Sequence, residues 1–132
     1  MVHALRQAHE VLRPNGVVVD VRPGAVHRRV SVVRPNRYQY VATMRESLAD
    51  DRAADRAVAI MLRKRIFRRG QMARFDCRRV FDSIDELRDW LTEEPPYERI
   101  LRKLEHHPAI RRPGARIVIR GPIVVQTLVR VD

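Results

Sequence analysis

A chain of 132 residues, 45% of them hydrophobic, is long enough for one domain with a real core and too apolar for wholesale disorder. No apolar run approaches the ~20 residues of a membrane span, the opening stretch to Arg13 is too polar for a signal peptide, and Cys77 stands alone, so no internal disulfide can form; the expectation is a soluble, cytoplasmic protein. The net charge is +11, with every one of the 27 basic residues Arg except Lys64 and Lys103. Such a field attracts nucleic acid, nucleotides, acidic proteins and anionic lipid. The Arg codons of a G+C-rich genome would raise the same count, and 16 acids are interspersed.

Residues 2–13 are predicted helical, because Ala4, Leu5, Ala8, Val11 and Leu12 recur as one apolar stripe with Arg6, Gln7, Glu10 and Arg13 facing away. Pro14-Asn15-Gly16 stops the helix: Pro cannot continue it, and Asn and Gly tolerate left-handed backbone. Val17-Val18-Val19-Asp20-Val21 is a continuous run dominated by β-branched residues, which predicts a strand covered on both faces, as in a parallel sheet. Arg22-Pro23-Gly24 ends it.

Residues 26–44 read as a hairpin, with Val30, Val32 and Val33 on one arm, Tyr38, Tyr40 and Val41 on the other, and Arg34-Pro35-Asn36-Arg37 as the turn. A helix is expected from about residue 51 to 65, with Ala54, Ala57, Val58, Met61 and Leu62 inward. Acids at its start and Arg63, Lys64 and Arg65 at its end complement the helix dipole. Residues 72–81 alternate, which predicts a half-buried strand with Ala73, Phe75, Cys77 and Phe81 on its core face. Ser83 and Glu86 fit a capping box for a helix that buries Ile84, Leu87, Trp90 and Leu91, and Pro95-Pro96 breaks it. Tyr97, Ile100, Leu101 and Leu104 outline a short helix; after the Pro113-Gly114 turn, residues 115–131 are strand, with a bulge or bend at Gly121-Pro122.

The stretch from His3 to Val21, which contains Val11-Leu12-Arg13-Pro14-Asn15-Gly16 ahead of the valine run, resembles a segment of class I S-adenosylmethionine-dependent methyltransferases. In that family a helix ends in a Val-Leu-Arg/Lys-Pro-Gly-Gly turn and feeds the fifth strand of the sheet; here Asn15 takes the place of one Gly. Arg74-Phe75-Asp76 with Phe81-Asp82-Ser83-Ile84-Asp85-Glu86-Leu87 is similar to short methyltransferase-related bacterial proteins. The resemblance implies an α/β (α+β) fold: one buried strand and antiparallel C-terminal strands, flanked by about four helices. The helix at 51–65 and the strands at 72–81 and 115–131 would be the family's last helix and closing antiparallel pair. The hairpin at 26–44 and the helices at 84–106 would be insertions into a single domain. It also implies a C-terminal half without its donor site. The five glycines include no Gly-x-Gly pair to approach the methyl donor. No cofactor is therefore expected in the isolated chain, and S-adenosylmethionine only if another chain completes the site.

No catalytic residue emerges from the sequence. Asp20, at the end of its strand, either contacts a ligand or pairs with Arg22 or a neighbouring loop. Arg22, Arg28, Arg29, Arg34 and Arg37, with Tyr38 and Tyr40, could hold phosphate or stack a base, or could be a solvated basic hairpin. Arg65, Arg68 and Arg69 read as cover for a helix end. His3, His9, His27, His106 and His107 have no metal-ligand spacing, and Ser31, Ser47 and Ser83 lack a nucleophile-elbow context. Cys77 reads as a small core hydrophobe, and Phe75, Phe81 and Trp90 as packing.

If the strand at 17–21 lacks a neighbour, its open edge invites a homodimer or a protein partner, unless the hairpin folds back over it. Three functions remain: a non-catalytic methyltransferase-like binding or assembly domain, a subunit of a split methyltransferase, or a basic module for nucleic acid or a phosphorylated ligand.

Overall fold

The computed structural model describes residues 1–91 and 97–131; the predicted break at Pro95-Pro96 lies outside them. In chain order the elements are α1 (Val2–Val11), β1 (Val17–Pro23), β2 (Arg29–Arg34), β3 (Arg37–Thr43), α2 (Ala49–Arg63), β4 (Phe67–Phe81), α3 (Ile84–Leu91), α4 (Glu98–Glu105), a 3-10 turn at Pro108–Arg111, and β5 (Arg116–Arg130). The fold is mixed α and β, with five antiparallel strands in one open sheet and four helices among the described residues. The chain divides into two compact units: Met1–Val26, Ser47–Asp76 and Pro122–Asp132 form the first, His27–Glu46 and Cys77–Gly121 the second. Nearly all of the two stretches marked as insertions, 26–44 and 84–106, lies in the second unit.

In the first unit, α1 and α2 pack together, and Leu5, Ala57, Val58 and Met61 close over Phe67, Leu128 and Val18. The turn after α1 works as its residues demand: Asn15 is left-handed at φ 59°. A Cβ on Gly16 would lie 2.7 Å from the Arg13 carbonyl oxygen. The C-terminus of α2 closes with Arg65 N–H donating to Leu62 O at 3.0 Å and Ile66 N–H to Met61 O at 3.0 Å. This pair of bonds puts Arg65 in the left-handed position that Gly usually fills, at φ 55°.

β1 departs from its prediction. It pairs antiparallel with β5, from Val17 opposite Val129 to Pro23 opposite Ile123, and is not a parallel, doubly covered strand. Val17, Val19 and Val21 are exposed, Val19 by 62%, while Asp20 is buried. A β-branched run favours extended backbone on any strand. It does not say how many faces the rest of the chain will cover, and here the helices cover only the Val18 face.

In the second unit, Val30 and Val32 of β2 and Ile117 and Ile119 of β5 meet Leu87 and Leu91 of α3 and Ile100 and Leu104 of α4. The capping box opens α3 with one change. Ser83 Oγ accepts from Glu86 N–H at 3.1 Å, but the Glu86 carboxylate takes the N–H of Asp82 at 2.7 Å, one residue earlier than usual. Gly121-Pro122 falls where the β5 ladder changes partner: Arg120 is matched to β2 and Ile123 to β1.

β4 pairs with β5, as predicted for the closing strands, but it is longer than predicted and is not half-buried. Only its ends, Phe67 and Phe81, are buried. Phe75 is 53% exposed, and Ala73 and Cys77 are exposed too, so the core assignment of these three is corrected. Alternation identifies which residues share a face, but burial needs an element packed closely on that face, and residues 68–80 of β4 all stay exposed.

Candidate functional site

The strand registers of the second unit sort its side chains into two sets. Side chains opposite one another on antiparallel strands share a face. Gln39, Val32 and Ile117 make one cross-sheet row, and Ala42, Val30 and Ile119 another; both lie on the core face. Between them Val41 is unmatched, a bulge that shifts β3 by one residue relative to β2. The opposite face carries three rows: Tyr38, Val33 and Arg116; Tyr40, Ser31 and Val118; Thr43, Arg29 and Arg120.

This face is polar, aromatic and cationic. Tyr38 is 45% exposed and Tyr40 51%, while Ser31 and Val118 are buried beneath the larger side chains. The guanidinium of Arg29 stands 4.7 Å from the Tyr40 ring centre, and that of Arg120 stands 5.6 Å from the Tyr38 ring centre. Both are within the ~6 Å at which a cation is attracted to an aromatic face. Arg37 is exposed beside Tyr38 in the turn, and Arg34 is half-buried across from it. Arg116 pairs with Asp82 at 3.0 Å, an exposed contact of small worth.

The other sequence candidates are spoken for. Arg28 grips Glu46 through Nε at 2.7 Å and Nη2 at 2.5 Å, and its guanidinium lies 5.5 Å from the Trp90 ring centre. Asp20 and Arg22 belong to the first unit and pair with each other. Asp20 Oδ2 accepts from Arg22 Nε at 2.9 Å and from Gln126 Nε2 at 2.8 Å, and Arg22 also pairs with Asp55. Burial works against charge on the Arg22 guanidinium, but hydrogen bonds and attraction from Asp20 and Asp55 outweigh it and raise its pKa. This cluster reads as a lock between β1, β5 and α2, with its polar groups directed at one another.

No known protein family, curated protein or solved structure matches the chain. Among the described residues no group of His, Cys, Asp and Glu could hold a metal ion, and no helix is long and apolar enough to cross a membrane.

Sequence reasoning missed five cations in the second unit. Arg116 and Arg120 join the tyrosine face through the β5 register. Arg45, Arg99 and Lys103 surround a cavity of about 360 Å³ that Tyr40 and Tyr97 also line. The spacing of Arg99 and Lys103, four residues apart on a helix beside Tyr97, was the available signal, since such pairs share a face. That Arg45 joins them follows only from the packing of α4 against β3.

Proposed function

We propose that this chain is a non-catalytic binding module and that its ligand is a single-stranded nucleic acid laid across the Tyr38–Tyr40 face. One observation carries the reading: two exposed tyrosines stand on one sheet face, each with an arginine guanidinium over its ring. Sequence-tolerant binding of single strands combines such aromatic rings with cations along the backbone path, each stacked base contributing about 1–3 kcal/mol. An exposed cation–π pair contributes only about 0.5–1 kcal/mol. A base can therefore displace Arg29 from the Tyr40 ring at a net gain, and its guanidinium can then meet a phosphate. A duplex keeps its bases stacked inside and offers these rings nothing, so unpaired strands are preferred.

Fluorescence anisotropy with a labelled single-stranded thymidine oligomer tests this. The expected result is binding that weakens as salt rises and drops when Tyr38 and Tyr40 are replaced by Ala. Absence of binding at about 50 mM salt overturns the reading.

A second reading, a methyltransferase-like assembly domain, draws support from two features. Within the first unit β5 pairs with both β1 and β4, as a closing strand pair beside the family's fifth strand would. The edge near Val17–Val21 also carries an exposed valine row that a second copy or another protein would cover. Light scattering separates the outcomes: a strict monomer at high concentration removes self-association.

A further inference from the structure

We infer that the cavity between β3 and α4 seats a terminal phosphate monoester carried on a flat ring, the chemistry of a nucleotide. Its source is either a free nucleotide or the end of a strand lying on the tyrosine face; only the second source rests on the function proposed above. Arg45, Arg99 and Lys103 line this one cavity, and among the described residues no acid lines it with them. None of the three makes a hydrogen bond or ion pair among the described residues, whereas Arg22, Arg28, Arg88, Arg102 and Arg116 are each paired to a carboxylate. Three like charges around one cavity repel until an anion joins them. A monoester carries nearly two negative charges and three acceptor oxygens, and matches that set better than a singly charged diester or carboxylate.

The rest of the cavity suits the ring. Tyr40 and Tyr97 supply aromatic surface, and the buried Ala42 and Ile100 add apolar contact. The Tyr40 hydroxyl is held at 2.8 Å from Thr43 Oγ1, which steadies this ring at the cavity rim. A volume of about 360 Å³ falls in the range of small-molecule sites. Tyr40 belongs both to the cavity and to the stacking face, so a strand bound across the face would deliver its end here.

The test uses thymidine oligomers of about ten nucleotides with a 5′-phosphate, a 3′-phosphate or hydroxyl ends, together with adenosine monophosphate. Each is titrated against the intact protein and the Arg99→Ala/Lys103→Ala variant, whose changes are at exposed positions. One phosphorylated oligomer is expected to bind at least about tenfold tighter than the hydroxyl oligomer. The variant should lose that increment while keeping hydroxyl-oligomer binding. If no oligomer binds but adenosine monophosphate does, in a manner abolished in the variant, the cavity inference stands with the free nucleotide as ligand, and the single-strand reading fails. If all oligomers bind equally and adenosine monophosphate does not bind, the inference is overturned while the single-strand reading survives. If nothing binds, both fall.

Discussion

The Arg29 guanidinium lies 4.7 Å from the centre of the Tyr40 ring, on the sheet face opposite the one that α3 and α4 cover. The pair sits two rows from the hairpin turn, because Ser31 of β2 is matched to Tyr40 and the bulge at Val41 places Arg29 opposite Thr43. Arginine held over an exposed ring keeps the aromatic surface from gathering apolar neighbours. It also keeps a cation at the point where a phosphate backbone would pass.

Tyr38→Ala and Tyr40→Ala should each weaken oligomer binding about 5- to 100-fold, the equivalent of one lost stacked base. Neither should change the free energy of urea unfolding by more than about 0.5 kcal/mol, since both positions are exposed. Arg29→Ala should act differently: the slope of log affinity against log salt should shrink by about 0.7, the share of one phosphate contact on a single strand.

Asp20→Ala should cost about 3 kcal/mol in urea unfolding, because it leaves the largely buried Arg22 without its buried carboxylate partner. Asp55→Ala removes the other partner, which is half exposed, and should cost less than about 1 kcal/mol. The raised pKa of Arg22 sets the pH dependence. A cation whose pKa is raised on folding adds stability in full below its unfolded value and loses it only as pH climbs through the folded one. The cost of Arg22→Ala should therefore be the same from neutral to mildly alkaline pH.

Arg65→Gly should stabilise the protein by about 1 kcal/mol, because the side chain occupies left-handed backbone at φ 55°. Thermal unfolding of the two proteins checks this, with a higher midpoint expected for the glycine variant.

Cys77 should react with a thiol reagent in the folded state at a rate close to that of the unfolded chain, since it is exposed on β4. A strongly protected thiol would contradict the course of that strand. Phe75→Ser, on the same exposed stretch, should leave the unfolding free energy within about 0.5 kcal/mol of the parent.

Local chemistry was legible in the sequence. The stripe of α2, the left-handed Asn15, the hairpin around 34–37 and the cap at Ser83 each depend on residues a few positions apart, and all are present; the α1 stripe holds only in part, since Leu5 is buried but Ala4 and Val11 are exposed. So was half of the candidate site, because Arg29, Tyr38 and Tyr40 lie within one hairpin whose register its own turn fixes.

Burial and neighbourhood across long separations were decided elsewhere. Val19 and Phe75 are apolar residues on well-formed strands, yet both are exposed, because neither joins a packed core cluster among the described residues. Asp20 is buried because Gln126 and Arg22 complete its hydrogen bonds, and Gln126 lies 106 residues away. Arg45 and Lys103 share a cavity for a similar reason: α4 docks on β3. Helix caps, turns and strand propensity are settled by backbone sterics over a few residues, whereas a buried face or a converging charge set needs two distant segments to meet, and only the folded chain determines which ones do.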